Sequence, residues 1–325
     1  MTGSQKAVAK AARHGDFAAG SAPVWPPAGK DARRYKLLRI FAIASLIANI
    51  TIIATGGAVR LTGSGLGCPN WPLCTPESLV PTQALSWHSA IEFGNRMMTG
   101  VLSIIAVAVL VLLWNWRRQR PDLTALAFIV LGGIIAQAVV GGFTVWTGLN
   151  PVIVGFHYIA SLILVAVTTV FVVRMNRPLA PRKLHVPAGF ASLSHLVSAL
   201  MAVTILVGVI TTANGPHSGD KDVQRHGADA SVLSHFHSWP GYALLAFLVL
   251  LAVWAFAAKV AHRATVALLL VTVLVQIAVG VYQARAGLPP LAVGVHMVIA
   301  AVAVSLMTRT LLLNKTHSPA AVASK

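Results

Sequence analysis

The sequence predicts an all-α membrane protein whose eight transmembrane helices form two pseudo-symmetric four-helix bundles, with the N and C termini in the cytoplasm. Three observations support this prediction. Of the 325 residues, 56% are hydrophobic and only 10% are charged, which is typical of a chain that lives in lipid. Eight apolar segments are each long enough to span about 30 Å of hydrocarbon. Finally, one pattern that ends in a histidine occurs twice.

Each predicted span has roughly the 20 residues that a helix needs to cross a bilayer. The first four spans make up one copy of a repeated unit, and the last four make up the other. The approximate ranges are 38–59, 89–115, 123–145, 152–174, 188–212, 233–258, 264–284 and 289–313. Most connections are short, so neighbouring helices are expected to be antiparallel hairpins.

The formal net charge of +17 indicates membrane topology and excludes nucleic-acid binding as its explanation. Of the 25 Lys and Arg residues, 20 lie before span one, in the loops after even-numbered spans, or at the end of span eight and beyond. The other five are Arg60, Arg96, Lys221, Arg225 and Arg285. The positive-inside rule therefore places both termini in the cytoplasm of a bacterial plasma membrane, where the anionic leaflet is the partner of the basic residues.

The spans and the charges together divide the chain into segments. The first segment lacks the apolar run of a cleaved signal peptide and mixes Ala, Gly, Pro and basic residues, so disorder is expected there. The predicted segments are a disordered basic cytoplasmic tail at 1–37, an N-terminal four-helix bundle at 38–174 with an external loop at 60–87, a cytoplasmic linker at 175–187, a C-terminal four-helix bundle at 188–313 and a cytoplasmic tail at 314–325.

The internal repeat is clearest in AQAVVGGFTVWTGLNPVIVGFH and VQIAVGVYQARAGLPPLAVGVH, which align without a gap. The shared residues differ by 139 in number and include Gln137/Gln276, Gly141/Gly280, Gly148/Gly287, Leu149/Leu288, Pro151/Pro290, Gly155/Gly294 and His157/His296. Each copy therefore places a histidine in an apolar segment, where a metal is the commonest strong partner of an imidazole.

The second copy contains candidate ligands for an iron cofactor. If Asn95 aligns with His237, then His237 and His296 lie on the second and fourth helices of this copy. Two imidazoles that face each other across a helix bundle are the usual axial pair of a low-spin b-type haem. His235 lies about 200° from His237 around a helix, so the two cannot face one iron. For each histidine taken alone, a hydrogen-bonded core residue is the alternative.

The first copy is unequal, because His157 has Asn95 where the second copy has His237. Span two also places other polar residues on roughly the face of Asn95, namely His88, Glu92, Arg96 and Thr99.

Glu92 is the only acidic residue in a predicted span. A carboxylate in lipid is costly unless it is paired or functional. Two explanations are open. One is a structural ion pair with Arg96, and the other is a carboxylate held over a bound substrate as a base or as a stabiliser of positive charge.

Cys68 and Cys74 are the only cysteines, and both lie in GCPNWPLC on the predicted external side. A small structural disulfide is one interpretation. An exposed disulfide in so short a loop is also typical of labile or redox-active pairs. The spacing alone leaves both interpretations open.

Four strings together resemble the haem A synthases of aerobic bacteria and mitochondria: GGAVRLTGSGLGCPNWPLC, IEFGNR, GGFTVWTGLNPVIVGFH and ANGPHSGD. The resemblance covers about 38–313. It implies an oxidoreductase that converts the C8 methyl group of haem O into the formyl group of haem A by successive hydroxylations, making haem A for terminal oxidases. It also implies haem b as cofactor in the C-terminal bundle and haem O as substrate in the N-terminal bundle.

The resemblance assigns roles to individual residues. The assigned roles are cofactor ligands for His237 and His296, a substrate-iron ligand for His157, catalysis for Glu92, and redox chemistry or haem transfer for Cys68 and Cys74. The family pattern has His where this chain has Asn95, followed by Arg as in Arg96. Either His157 holds the substrate iron alone and leaves an open coordination position, or His88 approaches from one turn away.

Further partners follow from the same resemblance. Arg60, Arg96 and Arg285 lie near the external boundary, where they either pair with haem propionates or extend to the interface. Haem O synthase and the terminal oxidase assembly pathway are expected partners, and homo-oligomerisation stays open. Two other functions compete: a diheme b-type electron carrier that converts no substrate, and a secondary transporter, for which internal repeats are common.

Overall fold

The computed structural model describes residues 25–27, 29–82, 86–223 and 229–317. Within these residues, eight helices are long and apolar enough to cross a membrane, so the prediction of an all-α, multi-pass membrane protein is confirmed. The helices are α1 Ala32–Leu61, α2 Trp87–Leu113, α3 Pro121–Trp146, α4 Pro151–Met175, α5 Ala188–Ala213, α6 Ala230–Ala257, α7 Arg263–Arg285 and α8 Pro290–Leu313.

Helix α1 begins six residues before the predicted span, inside the segment expected to be a disordered tail. Contacts with the end of α2 explain the extension. Arg34 donates from Nε to the carbonyl of Leu112 at 2.7 Å and from Nη2 to the carbonyl of Val111 at 2.5 Å. These carbonyls belong to the last turn of α2, where helix carbonyls lack their usual i+4 partners. Residues 1–24 and 28 of the predicted tail lie outside the described residues.

Each half of the chain packs as a group of four helices. In the first half, every helix contacts the next, and α1 also contacts α4. In the second half, every helix contacts the next, and α5 also contacts α8. The two groups meet chiefly through α1, α4 and α8, and the Oγ atoms of Thr169 and Ser305 are hydrogen-bonded there at 2.8 Å.

The repeated sequence pattern produces the same backbone turn twice. Gly148 and Leu149 both have positive φ, at 59° and 61°, and so do Gly287 and Leu288, at 75° and 60°. The Leu149 amide donates to Thr144 at 2.7 Å, and the Leu288 amide donates to Gln283 at 2.8 Å. These bonds cap carbonyls at the ends of α3 and α7, as in a glycine C-cap. Proline at the first position of the next helix then starts α4 and α8.

A two-stranded sheet occurs where no strand was predicted. Strand β1, Arg182–Leu184, lies in the predicted linker and pairs antiparallel with β2, Lys315–His317, in the predicted C-terminal tail. We call the surface at this end of the helices the sheet face. The opposite surface carries loop residues 62–82 and 214–223, and we call it the loop face.

Candidate functional site

His237 on α6 and His296 on α8 face each other in the second half of the chain. Their ring centroids are 6.3 Å apart, and the ring planes are inclined by 72°. His235 is exposed to solvent or lipid. The structure thus brings together the two histidines that the repeat pairs, and it leaves His235 outside the pair.

The spacing of this pair suits a metal ion between the rings. A metal–imidazole bond is about 2.0 Å long, so two rings on opposite sides of one ion have centroids about 6 Å apart. The Nδ1 atoms of His237 and His296 are buried and make no hydrogen bond of normal geometry with the described residues. Because haem brings four nitrogen ligands of its own, two imidazoles complete its iron coordination, and these side chains fit that group.

A glycine on the neighbouring helix makes room for each imidazole. A Cβ atom at Gly208 of α5 would lie 2.7 Å from Cε1 of His237, and one at Gly280 of α7 would lie 3.1 Å from Cε1 of His296. Real Cβ atoms essentially never approach to 2.7 Å. The position and orientation of both rings therefore depend on the absence of these side chains.

The first half repeats this arrangement with one imidazole missing. A Cβ atom at Gly141 of α3 would lie 3.7 Å from Cε1 of His157. A Cβ atom at Gly56 of α1 would lie 3.8 Å from Oδ1 of Asn95. Asn95 thus lies beside a glycine of the first helix, as His237 lies beside Gly208.

Thr55 holds the Asn95 side chain. Its hydroxyl donates to Oδ1 of Asn95 at 2.7 Å and also approaches the Ile52 carbonyl at 3.2 Å. The first half therefore has a hydrogen-bonded amide at the position where the second half has the imidazole of His237. His157 is therefore the candidate ligand that this half offers at the repeated positions.

Gln137 fastens the backbone that carries His157. Its Nε2 donates to the His157 carbonyl at 2.8 Å and to the Ser161 hydroxyl at 2.6 Å, and that hydroxyl donates to the same carbonyl at 2.9 Å. In the second half, Oε1 of the matching Gln276 is buried and has no hydrogen bond with the described residues. The repeat pointed to both glutamines, but nothing in the sequence indicated which groups they contact.

Cys68 and Cys74 form a disulfide, and neither cysteine has any exposed surface. The predicted disulfide is therefore confirmed, and its cysteines are buried. Trp71, between the cysteines, packs against Gly142 of α3, and its carbonyl accepts a hydrogen bond from Trp146 Nε1 at 3.2 Å. The disulfide loop therefore packs on α3 at Gly142, the residue that follows the glycine beside His157.

Glu92 is 5% exposed, and both of its oxygens bind protein donors. Oε2 accepts from the Cys68 amide at 2.6 Å, and Oε1 accepts from Arg96 Nη2 at 2.6 Å and Nε at 3.2 Å. Of the two explanations for this carboxylate, the ion pair with Arg96 is the one that the structure contains. Glu92 also anchors the disulfide loop.

Arg96 uses all five of its N–H groups in this anchor. Arg96 also donates to three backbone carbonyls of the loop. Nη1 donates to the Asn70 carbonyl at 3.2 Å and to the Leu73 carbonyl at 2.8 Å, and Nη2 donates to the Cys68 carbonyl at 2.7 Å. In this conformation no donor of Arg96 remains for a haem propionate. Its role here is to hold the loop.

His88 is also tied to the loop segment. Its Nδ1 lies 2.9 Å from the Ser64 hydroxyl, which is 2.7 Å from the Thr62 hydroxyl. Its ring stacks on Trp87 with centroids 3.8 Å apart. The backbone of His88 lies directly against Gly67, so Cβ at that glycine would collide with it at 2.7 Å.

Two further arginines were expected near the loop face. Arg60 donates from Nε to His217 at 2.8 Å and from Nη2 to Thr212 at 2.7 Å, in both cases to the carbonyl. It thereby joins α1 to the loop that follows α5. Arg285 is exposed at the end of α7.

Comparisons with known proteins agree with the sequence motifs. A family model for COX15-CtaA, cytochrome oxidase assembly protein, matches residues 39–92 and 88–308. A haem A synthase of Listeria welshimeri is 33% identical over 129 residues, which is 39% of this chain and 42% of that protein. A haem A synthase of Lysinibacillus sphaericus is 37% identical over 131 residues, which is 39% of this chain and 41% of that protein. The aligned part spans about two fifths of these curated relatives.

The chain belongs to the haem A synthase family of cytochrome oxidase assembly proteins. The motifs that suggested this family lie within the matched range. The same range contains the paired histidines, His157 and the disulfide loop.

In this member of the haem A synthase family, the sequence did not reveal three supporting contacts, although the repeat had marked Gln137. Thr55 holds Asn95, Gln137 holds the His157 backbone, and Trp71 packs over α3. The hydrophobic periodicity of a sequence does not show which distant group a side chain contacts, so only the three-dimensional arrangement reveals these contacts.

Proposed function

We propose that this chain is a haem A synthase, which oxidises the C8 methyl group of haem O to a formyl group and so makes haem A. The supporting observation is the difference between its halves. The second half has two imidazoles at a spacing that one metal ion could bridge, whereas the first half has His157 and, at the position that corresponds to His237, Asn95. A permanent cofactor suits the complete pair, and a substrate that must enter and leave suits the incomplete one.

His237 and His296 would hold haem b between α6 and α8. When bound, haem b supplies the one-electron chemistry that amino-acid side chains cannot supply. The chain's contribution is to fix the two imidazoles, because Gly208 and Gly280 leave space for the rings. Neutral imidazoles and an apolar surrounding are the environment that such a haem requires.

In the first half, His157 would bind the iron of haem O, and Gln137 would keep the His157 backbone in place. Asn95 leaves the opposite coordination position open. The substrate undergoes two hydroxylations at C8. In each hydroxylation, a C–H bond of C8 would be replaced by a C–O bond to oxygen from water, and two electrons and two protons would leave for an external electron acceptor. The resulting geminal diol would lose water to give the aldehyde.

The disulfide loop would close this site toward the loop face. Glu92 and Arg96 hold the loop through the Cys68 amide and three backbone carbonyls, and Trp71 presses it onto α3. A closed site excludes water from a reactive substrate. In this proposal Glu92 and Arg96 are positioning residues. Direct action of Glu92 at C8, and redox or haem-transfer chemistry at Cys68 and Cys74, remain predictions.

The proposed location is the bacterial plasma membrane, with the sheet face toward the cytoplasm. The basic residues concentrate at this face, which supports the orientation. A haem O synthase would supply the substrate, and the assembly pathway of a terminal oxidase would receive the product.

The direct test is to express the full chain together with a haem O synthase, purify it, record its optical spectrum and extract its haem. We expect haem A from the wild-type protein. The His157→Ala variant should retain the spectrum of haem b and yield no haem A, whereas His237→Ala should lose haem b. Two stable b-type haems with no haem A from the wild type would contradict the proposal and support an electron carrier.

The open coordination position has its own test. Asn95→His should place a second imidazole opposite His157 and convert the bound haem O into a six-coordinate low-spin species. Thr55→Val removes the bond to Asn95 but adds no ligand, so it serves as the matched control. A spectrum of Asn95→His identical to that of the wild type would mean that the position is already occupied.

A further inference from the structure

Four arginines converge at the sheet face, where the two halves of the chain meet. They are Arg174 at the end of α4, Arg177 just after it, Arg182 on β1 and Arg309 in the last turns of α8. Arg177 shows how close these segments are. Its Nη1 approaches the Leu312 carbonyl at 3.4 Å and donates to the Lys315 carbonyl at 3.1 Å. The guanidinium therefore lies between the end of α8 and the start of β2.

The sheet brings Arg182 to the same place. In the pairing of β1 with β2, Leu184 lies opposite Lys315, and Arg182 lies opposite His317. The charge of Arg182 acts on both Arg174 and Arg177, and the charge of Arg309 acts on Arg177. Burial lowers the pKa of Arg177, and these two positive charges lower it further. The four side chains thus form one group of like charges.

No carboxylate among the described residues forms a salt bridge with this group. Asp122 is the acidic residue nearby, and Arg120 already binds it at 3.0 Å and 3.1 Å through both carboxylate oxygens. Nε of Arg174 is buried and has no hydrogen bond with the described residues. A buried donor without a partner within a group of positive charges points to an absent anion.

Apolar surface next to the arginines indicates the kind of anion. Leu179 is 52% exposed and Leu184 is 44% exposed, and both lie in the segment that carries Arg177 and Arg182. A free phosphate ion gains nothing from exposed leucines, whereas a lipid offers a phosphate for the arginines and acyl chains for the leucines. We infer that Arg174, Arg177, Arg182 and Arg309 form a binding site for the phosphate of an anionic phospholipid.

Arg182 and Arg309 are the residues to change, because both are exposed and neither makes a hydrogen bond within the described residues that a substitution would break. The test uses the full chain purified in mild detergent and freed of lipid. Binding of phosphatidylglycerol is measured by native mass spectrometry for the wild type, for Arg182→Gln/Arg309→Gln, and for the control Arg118→Gln/Arg263→Gln. The control removes two exposed arginines of the same face that lie on other segments.

We expect the first variant to bind phosphatidylglycerol about tenfold more weakly, since each basic residue near a membrane surface contributes a several-fold gain. The control should change binding less than about twofold. Arg182→Lys/Arg309→Lys keeps the charge and should retain much of the affinity, which separates lost binding from lost folding.

Two other probes decide the source of the phosphate. Phosphatidylcholine should bind more weakly than phosphatidylglycerol, and millimolar inorganic phosphate should not displace phosphatidylglycerol. Equal losses in both double-glutamine variants would overturn the site, because they would reflect net charge alone. Displacement by inorganic phosphate would overturn the lipid and indicate a free anion instead.

Discussion

The Tyr158 hydroxyl donates a hydrogen bond to the Met297 carbonyl at 3.1 Å. These residues directly follow His157 and His296, and their numbers differ by the same 139 that relates the two histidines. The bond joins α4 to α8 next to both candidate ligands. The separation of the two sites is thus fixed by a direct contact between the helices that carry them, as well as by apolar packing.

Tyr158→Phe should loosen this junction. The ring stays, but the Met297 carbonyl loses its side-chain donor, and such a bond contributes roughly 0.5–1.5 kcal/mol. We expect a lower midpoint of thermal unfolding in detergent. Tyr242→Phe is the control, because Tyr242 is 59% exposed. Equal midpoints for the two variants would show that the bond does not stabilise the junction.

The roles of the first-half histidines can be separated by alanine variants. His157→Ala should abolish haem O conversion, because it removes the ligand that the structure offers to the substrate iron. His88→Ala should only weaken conversion, since its Nδ1 is engaged by Ser64. Extracted haem A, divided by haem b content, measures both effects. An inactive His88→Ala protein with normal haem b would instead make His88 a ligand.

Glu92→Gln should release the disulfide loop. A neutral amide pairs more weakly with Arg96 and the Cys68 amide, and hydrogen bonds to charged groups contribute about 1.5–3 kcal/mol. We expect the buried disulfide to be reduced by a phosphine at least about tenfold faster, as followed by alkylation and mass spectrometry. Glu77→Gln, a change at an exposed acidic residue of the same loop, is the control. Identical reduction rates in both variants would argue against the anchoring role.

Gly208→Ala should reduce haem b content severely. The added Cβ would lie 2.7 Å from Cε1 of His237, so the imidazole would have to leave its position. Gly132→Ala introduces the same methyl group on α3, where no atom lies within 4 Å, and alanine there should be neutral or slightly stabilising. Haem per protein, measured by absorbance, compares them. Full occupancy in Gly208→Ala would mean that His237 binds from another direction.

His262, just before α7 at the sheet face, should make stability depend on pH. The residue is 7% exposed, and burial lowers its pKa, as do the charges of Arg177 and His185, while Asn314 partly opposes the shift. The fold therefore favours the neutral ring, and this contribution is lost as pH falls below about 6.5. Between pH 7.5 and 5.5, the unfolding midpoint should fall more for the wild type than for His262→Gln. Parallel curves would exclude this residue as the cause.

The sequence predicted the helices best, because the lipid around them is uniformly apolar. Lipid requires long apolar runs, so all eight helices were predictable to within a few residues, except for the start of α1. Partners of polar groups were not predictable, because they come from distant segments: Glu92 binds the Cys68 amide, and Arg96 binds carbonyls of the same loop. Strands β1 and β2 have three residues each, too few for an alternating pattern to indicate a sheet.

The linker sheet and the Arg60 bonds have a joint consequence. The sheet joins the segment after α4 to the segment after α8. The Arg60 bonds join α1 to the end of α5 and the loop after it, at the opposite end of the helices. The two halves are therefore joined at both ends of the interface between them. Hinge-like opening between them would break contacts at one surface or the other, so under the proposed function each haem would have to enter its half from the side of that half.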